Sequence, residues 1–271
     1  MAIKMIAMDI DGTLLTTDHC LTECNRSALE RCVNSGIALV VATGRPSTTI
    51  PKIVRDIPGI KYLISANGAK IHDATGKIFS EKYLSPLAIR KVWPLLEDEL
   101  IMCEVYWKGI PYVSTVCNNA LHRYGIPDSF EKHTINTRMP VDNLPAFTES
   151  HIGEIEAINF NYATKKIQKR IFDLLSEGGD YALSSSLPFN YTIGVTGVSK
   201  YVAIKQICET MKIEMSSVMA FGDGDNDLDM IRFSGIGVAM ANASSSLKEA
   251  ADFVTLDCEN SGIAYAIEKL I

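Results

Sequence analysis

Two aspartates, Asp9 and Asp11, follow the short apolar run at residues 5–8 and stand two positions apart. On an extended chain that spacing points both side chains to the same side. Two carboxylates crowded at the end of an apolar run repel one another unless a cation lies between them. A third carboxylate of the same character, Asp223, opens the stretch Gly222-Asp223-Gly224-Asp225-Asn226-Asp227 behind another apolar run. Oxygen ligands of this kind suit a hard divalent ion, and magnesium is usually held by one or two carboxylates, waters and a substrate phosphate. The pair Asp11-Gly12 taken alone also suits a plain turn. The 223–229 stretch taken alone also suits a solvated acidic loop. A calcium loop is excluded, because its twelfth position calls for glutamate and here, counted from Asp223, it is Ser234.

Two further groups have the chemistry of anion binding. Thr43-Gly44-Arg45 offers a hydroxyl, backbone amides and a guanidinium, all suited to phosphate oxygens. The threonine could equally cap the segment that follows. Lys200, after Gly197-Val198-Ser199, stands where a helix begins. A lysine there opposes the helix dipole, which a neighbouring anion would explain; exposure to solvent is the plainer alternative.

The elements that position these residues follow from the apolar pattern. Residues 5–8 form a short continuous apolar run, and 37–42, 62–66, 218–221 and 236–239 are largely apolar, the pattern of strands buried on both faces of a parallel sheet. Helical stretches at 22–34, 201–211 and 263–270 alternate with them, which predicts an α/β domain with right-handed crossovers. Ligands of such sheets bind beyond the carboxyl ends of the strands. The ends at Asp9, Thr43 and Asp223 should therefore converge on one crevice. The middle of the chain differs. Ser85-Pro86 opens a helix that Pro94 shortens, and strands at 101–107, 112–116, 155–160, 181–184 and 190–193 surround a helix at 164–177. The expected organisation is a Rossmann-like α/β core at 1–83 and 191–271, interrupted by an α+β module at 84–190.

Composition narrows the function classes. Of 271 residues 47% are hydrophobic and 21% charged, and the net charge of -6 disfavours a nucleic-acid partner. The seven cysteines contain no Cys-x-x-Cys pair, which argues against zinc and suits a reducing compartment. No run approaches the roughly 20 apolar residues that cross a bilayer, and the short N-terminal run lacks the form of a signal peptide. The expectation is a cytoplasmic protein without a membrane partner.

Taken in order, Asp9-Ile10-Asp11-Gly12-Thr13, Thr43, Lys200 and Gly222-Asp223-x-x-Asn226-Asp227 resemble the four motifs of the haloacid dehalogenase superfamily. The finer pattern, with Ala42-Thr43-Gly44-Arg45, Ala66-Asn67-Gly68, Gly197-Val198-Ser199-Lys200 and Asn242-Ala243, is similar to its Cof-like branch, which inserts a large α+β cap between the second and third motifs. Tyr201 departs from the glycine usual after the third-motif lysine. The resemblance implies a phosphatase that hydrolyses small phosphomonoesters, sugar phosphates foremost, through an aspartyl-phosphate. It implies Asp9 as nucleophile and Asp11 as general acid and base. It implies magnesium held by Asp9, the backbone carbonyl of Asp11, and Asp223, with Asn226 or Asp227. Thr43, Gly44, Arg45, Asn67, Asn226 and Lys200 are expected on the phosphate or substrate. A phosphomutase or phosphotransferase, a phosphatase of pyridoxal phosphate or flavin mononucleotide, and a non-catalytic sensor of a phosphorylated ligand remain alternatives.

Overall fold

The structure is a computed structural model that describes residues 2–186 and 189–271; positions 1, 187 and 188 of the expected domains lie outside it. The chain divides into two compact units, one formed by residues 1–45, 50–80 and 199–271, the other by 46–49 and 81–198.

Strands β1 (Met5–Met8), β2 (Ala38–Ala42), β3 (Ile60–Ser65), β4 (Lys70–Asp73) and β5 (Ile78–Glu81) open the first sheet. The second unit carries β6 (Met102–Trp107), β7 (Ile110–Ser114), β8 (Met139–Val141), β9 (Ile155–Asn161), β10 (Ala182–Ser184) and β11 (Asn190–Gly194). Strands β12 (Val218–Gly222), β13 (Ile236–Ala239) and β14 (Phe253–Val254) then complete the first sheet, in the order β14-β13-β12-β1-β2-β3-β4-β5. Its centre is parallel, with Met8 beside both Phe221 and Val41. Every residue of β1, β2 and β12 is buried, as continuous apolar runs require when both faces are covered. One face packs Ile6, Met8, Leu39, Val41, Met219 and Phe221. The other packs Met5, Ala7, Val40, Ala42, Val218 and Ala220. β3 and β4 run antiparallel, so the sheet is mixed at this edge.

Local signals set the element ends. Thr22 caps the helix Glu23–Asn34 by accepting from the Asn25 amide, and Gly36, at φ 84°, leaves it in a left-handed conformation. Ser85 caps the helix Pro86–Lys91, and the chain re-starts as Trp93–Leu96 around Pro94.

The second sheet has the order β10-β11-β9-β6-β7-β8, with helices packing on Cys103, Val105, Ile158, Phe160 and Ile193. The boundary expected at 190 falls inside it. β11 pairs with β9 from Asn190–Asn161 to Gly194–Ala157, and the unit runs on to residue 198. The strand expected at 112–116 also ends early, and the helix Thr115–Asn118 follows Ser114.

Candidate active site

Because β13, β12, β1, β2 and β3 are parallel, their carboxyl ends share one edge, and the chemistry-bearing residues of the first unit gather there. Asp9 follows β1, Thr43 follows β2, Ala66–Gly68 follow β3, Asp223 follows β12, and Asn242 lies three residues beyond β13. The register is tied by Asp9 N donating to the Phe221 carbonyl at 3.0 Å and Thr43 N to the Ile64 carbonyl at 2.9 Å. Lys200 reaches this edge from the first turn of the helix Lys200–Met211, whose cap, Ser199, accepts from the Val202 amide.

Lys200 is 1% exposed, and its Nζ donates to Asp9 Oδ1 at 2.6 Å and to Asp227 Oδ1 at 2.7 Å. These two carboxylates are the anions that its position against the helix dipole called for. Asp227 is fully buried, and its Oδ2 accepts from the amides of Asp223 and Gly224, both at 3.1 Å. Asp223 is held from both sides: Thr13 Oγ1 donates to its Oδ1 at 2.9 Å and Asn242 Nδ2 to its Oδ2 at 3.3 Å. Asn242 also donates to the Gly12 carbonyl at 2.8 Å. Gly12 sits at φ +75°, and a Cβ there would stand 2.4 Å from Asp223 Oδ2. Only glycine provides both the turn and the room.

Carboxylate oxygens of Asp9, Asp223 and Asp227 lie within 4.8 Å of one another. Three acids thus face a single ammonium. Burial raises the pKa of Asp9 well above the usual carboxylate range, Lys200 opposes the shift, and Asp227, Asp223 and Asp11 add to it. Burial, followed by Asp227, pushes Asp223 up to about 6. Lys200 stays protonated: burial works against its charge, but Asp227 and Asp9 outweigh burial and raise its pKa. An unneutralised cluster of hard oxygen donors is the environment a divalent cation relieves.

The remaining expected residues divide. Arg45 forks onto Asp11, with Nε donating to Oδ2 and Nη2 to Oδ1, each at 2.6 Å. The Asp11 carboxylate is therefore not among the three clustered acids. Thr43 is 1% exposed, and its Oγ1 accepts from the Arg45 amide at 3.1 Å. Asn226 Nδ2 donates to Asn67 Oδ1 at 2.9 Å, joining the loops after β12 and β3. A Cβ at Gly44 would lie 3.2 Å from that same Asn67 oxygen. Ala66 and Asn67 both adopt positive φ, 47° and 53°, a conformation that costs a residue with a Cβ about 1–2 kcal/mol. Bonds from the Ala66 amide to the Arg45 carbonyl and from the Asn67 amide to the Thr43 carbonyl hold it.

Sequence reasoning assigned no role to Thr13, Asn242 or His19. Thr13 was within reach, since it lies one turn past Asp9 on the same strand end. Asn242 was too, because it follows an apolar run just as Asp223 does. His19 carried no spacing signal. It reaches Asp11 through the turn at residues 16–20, with Nδ1 3.8 Å from Asp11 Oδ1.

A family model for the haloacid dehalogenase-like hydrolases matches residues 6–267. The chain belongs to that family. Among the relatives of this hydrolase, the Bacillus subtilis 5-amino-6-(5-phospho-D-ribitylamino)uracil phosphatase YcsE is 29% identical, the alignment covering 99% of this chain and 96% of YcsE. The phosphatase YwpJ of the same organism is also 29% identical, over 99% of this chain and all of its own. A solved haloacid dehalogenase-like hydrolase from B. subtilis superposes with a TM-score of 0.86 at 27% identity, covering 99% of this chain and 100% of its own. The subclass IIB sugar phosphatase BT4131, 24% identical, shares the fold with a TM-score of 0.81 over 98% of each chain. These likenesses agree with the α/β core and the resemblance read from the four motifs. Among the described residues no helix is long and apolar enough to cross a membrane.

Proposed function

We propose that this hydrolase is a magnesium-dependent phosphatase of small phosphomonoesters, with Asp9 as nucleophile and Asp11 as general acid and base. The observation that carries the reading is the buried Lys200 ammonium shared by Asp9 and Asp227, with Asp223 completing the acid cluster. Asp9, Asp223 and the backbone carbonyl of Asp11 would hold magnesium. Both Asp227 oxygens already accept hydrogen bonds, from Lys200 and from the Asp223 and Gly224 amides, which suits a group that orients its neighbours. Held there, a cation would supply charge neutralisation between nucleophile and phosphate and would favour the ionised form of the buried Asp9.

The chain's own groups then do the following. A carboxylate oxygen of Asp9 attacks phosphorus, the bond to the leaving oxygen breaks, and Asp11 gives that oxygen a proton. Water attacks the aspartyl-phosphate, Asp11 takes the water's proton, and the Asp9–phosphorus bond breaks. Lys200 stays charged throughout and offsets the negative charge gathering beside Asp9. An anion approaching an anion at 4 Å meets about 4 kcal/mol of repulsion per charge pair at an effective dielectric near 20, so a nucleophile of this type needs such a partner. Thr43, Gly44 and Asn67 line the loops after β2 and β3 and are assigned to the phosphoryl group, with Lys200 and Asn226. The unit at 46–49 and 81–198, which interrupts the first in sequence, is assigned to the inserted α+β module, with a buried core of its own.

The substrate class is phosphorylated sugars and sugar alcohols. It is favoured by relatives named as phosphatases of a ribityl phosphate, YcsE at 29% and YwtE at 27% identity. Phosphate release from a panel of phosphorylated sugars, sugar alcohols, pyridoxal phosphate and flavin mononucleotide tests the reading. Magnesium-dependent release of inorganic phosphate, abolished in Asp9→Asn, is expected. A rearranged sugar phosphate in place of inorganic phosphate would mark a mutase. Binding without turnover would mark a sensor.

A further inference from the structure

Arg45 was expected on phosphate, yet two of its nitrogens form a two-point fork on the Asp11 carboxylate, with both bonds at 2.6 Å. A guanidinium–carboxylate fork fixes the plane of both groups as well as their separation. The Arg45 side chain is 11% and the Asp11 side chain 38% exposed, so water reaches the pair mainly from the Asp11 side. His19 approaches the same carboxylate with Nδ1 3.8 Å from Oδ1.

The backbone at His19 supports reading this contact as built. His19 has φ 57°, a left-handed conformation that a histidine adopts at a cost of about 1–3 kcal/mol and that persists only where surrounding bonds impose it. Those bonds are present. Thr16 N donates to the Cys20 carbonyl, His19 N to the Thr16 carbonyl, and Cys20 N to Thr16 Oγ1. Thr17 is clamped in turn by Glu259, which accepts from its amide at 2.7 Å and its hydroxyl at 2.8 Å.

Asp11 faces a competing demand. It lies two residues from Asp9 on the same strand end, beside three acids arranged for a cation. A free carboxylate there would be drawn to the metal as one more oxygen donor, and a metal-bound carboxylate neither gives nor takes a proton readily. We propose that Arg45, assisted by His19, is a positioning residue that keeps the Asp11 carboxylate out of the Asp9–Asp223–Asp227 cluster and holds its plane fixed for proton transfer. This rests on the assignment of Asp11 as general acid.

The leaving group separates proton transfer from binding. An alkyl alkoxide needs a proton as it departs, whereas p-nitrophenolate departs without one. kcat/KM is therefore compared for an alkyl phosphate and p-nitrophenyl phosphate, with magnesium, in the full-length wild type, Asp11→Asn, Arg45→Met, Arg45→Lys and His19→Asn. Positioned acid catalysis contributes about 10²- to 10⁴-fold. Arg45→Met is expected to lose on the order of 10²-fold on the alkyl ester and under about threefold on the aryl ester. Arg45→Lys, which keeps charge without the fork, should fall between wild type and Arg45→Met on the alkyl ester alone. His19→Asn, whose new side chain tolerates the left-handed backbone, should lose a few-fold in the same sense. Equal losses on both esters in Arg45→Met and Arg45→Lys would put Arg45 on the phosphoryl group and overturn the proposal, as would wild-type rates on both. Where Asp11→Asn discriminates between the esters and the Arg45 variants do not, only this inference fails. Where Asp11→Asn does not discriminate, the general-acid assignment fails and takes the inference with it.

Discussion

Replacing Lys200 with methionine removes the one ammonium that bonds to both Asp9 and Asp227 and keeps the apolar stem. Asp9 is 7% and Asp227 0% exposed, so neither carboxylate can recover its lost partner by hydration. Removing one member of a buried ion pair costs about 3–5 kcal/mol, and here one lysine serves two acids. Without metal at neutral pH, Lys200→Met should lose at least about that much stability. The sign with pH follows from protonation. Losing Lys200 raises the folded-state pKa of Asp9 further, so the penalty is fully present above that pKa. It fades as pH falls, and vanishes below the unfolded carboxylate value near 4, where both states carry the proton. Magnesium should return part of the loss, about 2.7 kcal/mol at a hundred times its dissociation constant. Urea unfolding in EDTA and in magnesium, followed by circular dichroism, measures this. Tryptophan fluorescence would report only the second unit, which holds both Trp93 and Trp107. A variant within about 1 kcal/mol of wild type in EDTA at neutral pH would refute the view that Lys200 neutralises buried acids.

Other consequences follow from the same geometry. Asp223 titrates at about 6, so magnesium must displace a proton below that pH. Affinity should fall by about tenfold or more per pH unit below 6, where the Asp223 proton and that of Asp9 both compete with the cation, as calorimetry would record; a flat profile would contradict the shift. In the metal-free protein the raised Asp223 favours folding in acid and weakens it as pH rises from about 4 to about 6, a window in which added magnesium should gain in stabilising effect. Gly12→Ala should lower kcat/KM for phosphomonoesters at least about tenfold, because its Cβ would enter the Asp223 carboxylate and its φ suits only glycine. Retained activity would show that the loop yields. Asn242→Ala frees Asp223 Oδ2, the Gly12 carbonyl and the Cys258 amide, and should weaken magnesium binding by about 10–100-fold.

The site was legible where a strong local pattern and the topology said the same thing. Continuous apolar runs ending in Asp9, Thr43 and Asp223 dictated a parallel sheet, and a parallel sheet places those ends together. Lys200 was legible through its conflict with the helix dipole. For Arg45 the sequence shows that a guanidinium suits an anion but not that the Asp11 carboxylate is the one it meets. Asp11 lies closer than any phosphate the sequence could display. His19 was invisible, since only the turn at 16–20 and the clamp from Glu259, 242 positions from Thr17, bring it round. In the second unit, β8 and the helices at 115–118 and 144–150 are too short for periodicity to emerge. The end of that unit was misjudged because β11 pairs with β9 at about thirty residues' separation.

The most direct test of the central claim is to mix the protein with substrate and magnesium, quench in acid within a turnover, and locate the phosphoryl group by peptide mass spectrometry. The account predicts phosphate on the peptide bearing Asp9, absent in Asp9→Asn and longer-lived in Asp11→Asn. Phosphate on a different residue, or turnover persisting in Asp9→Asn, would contradict it.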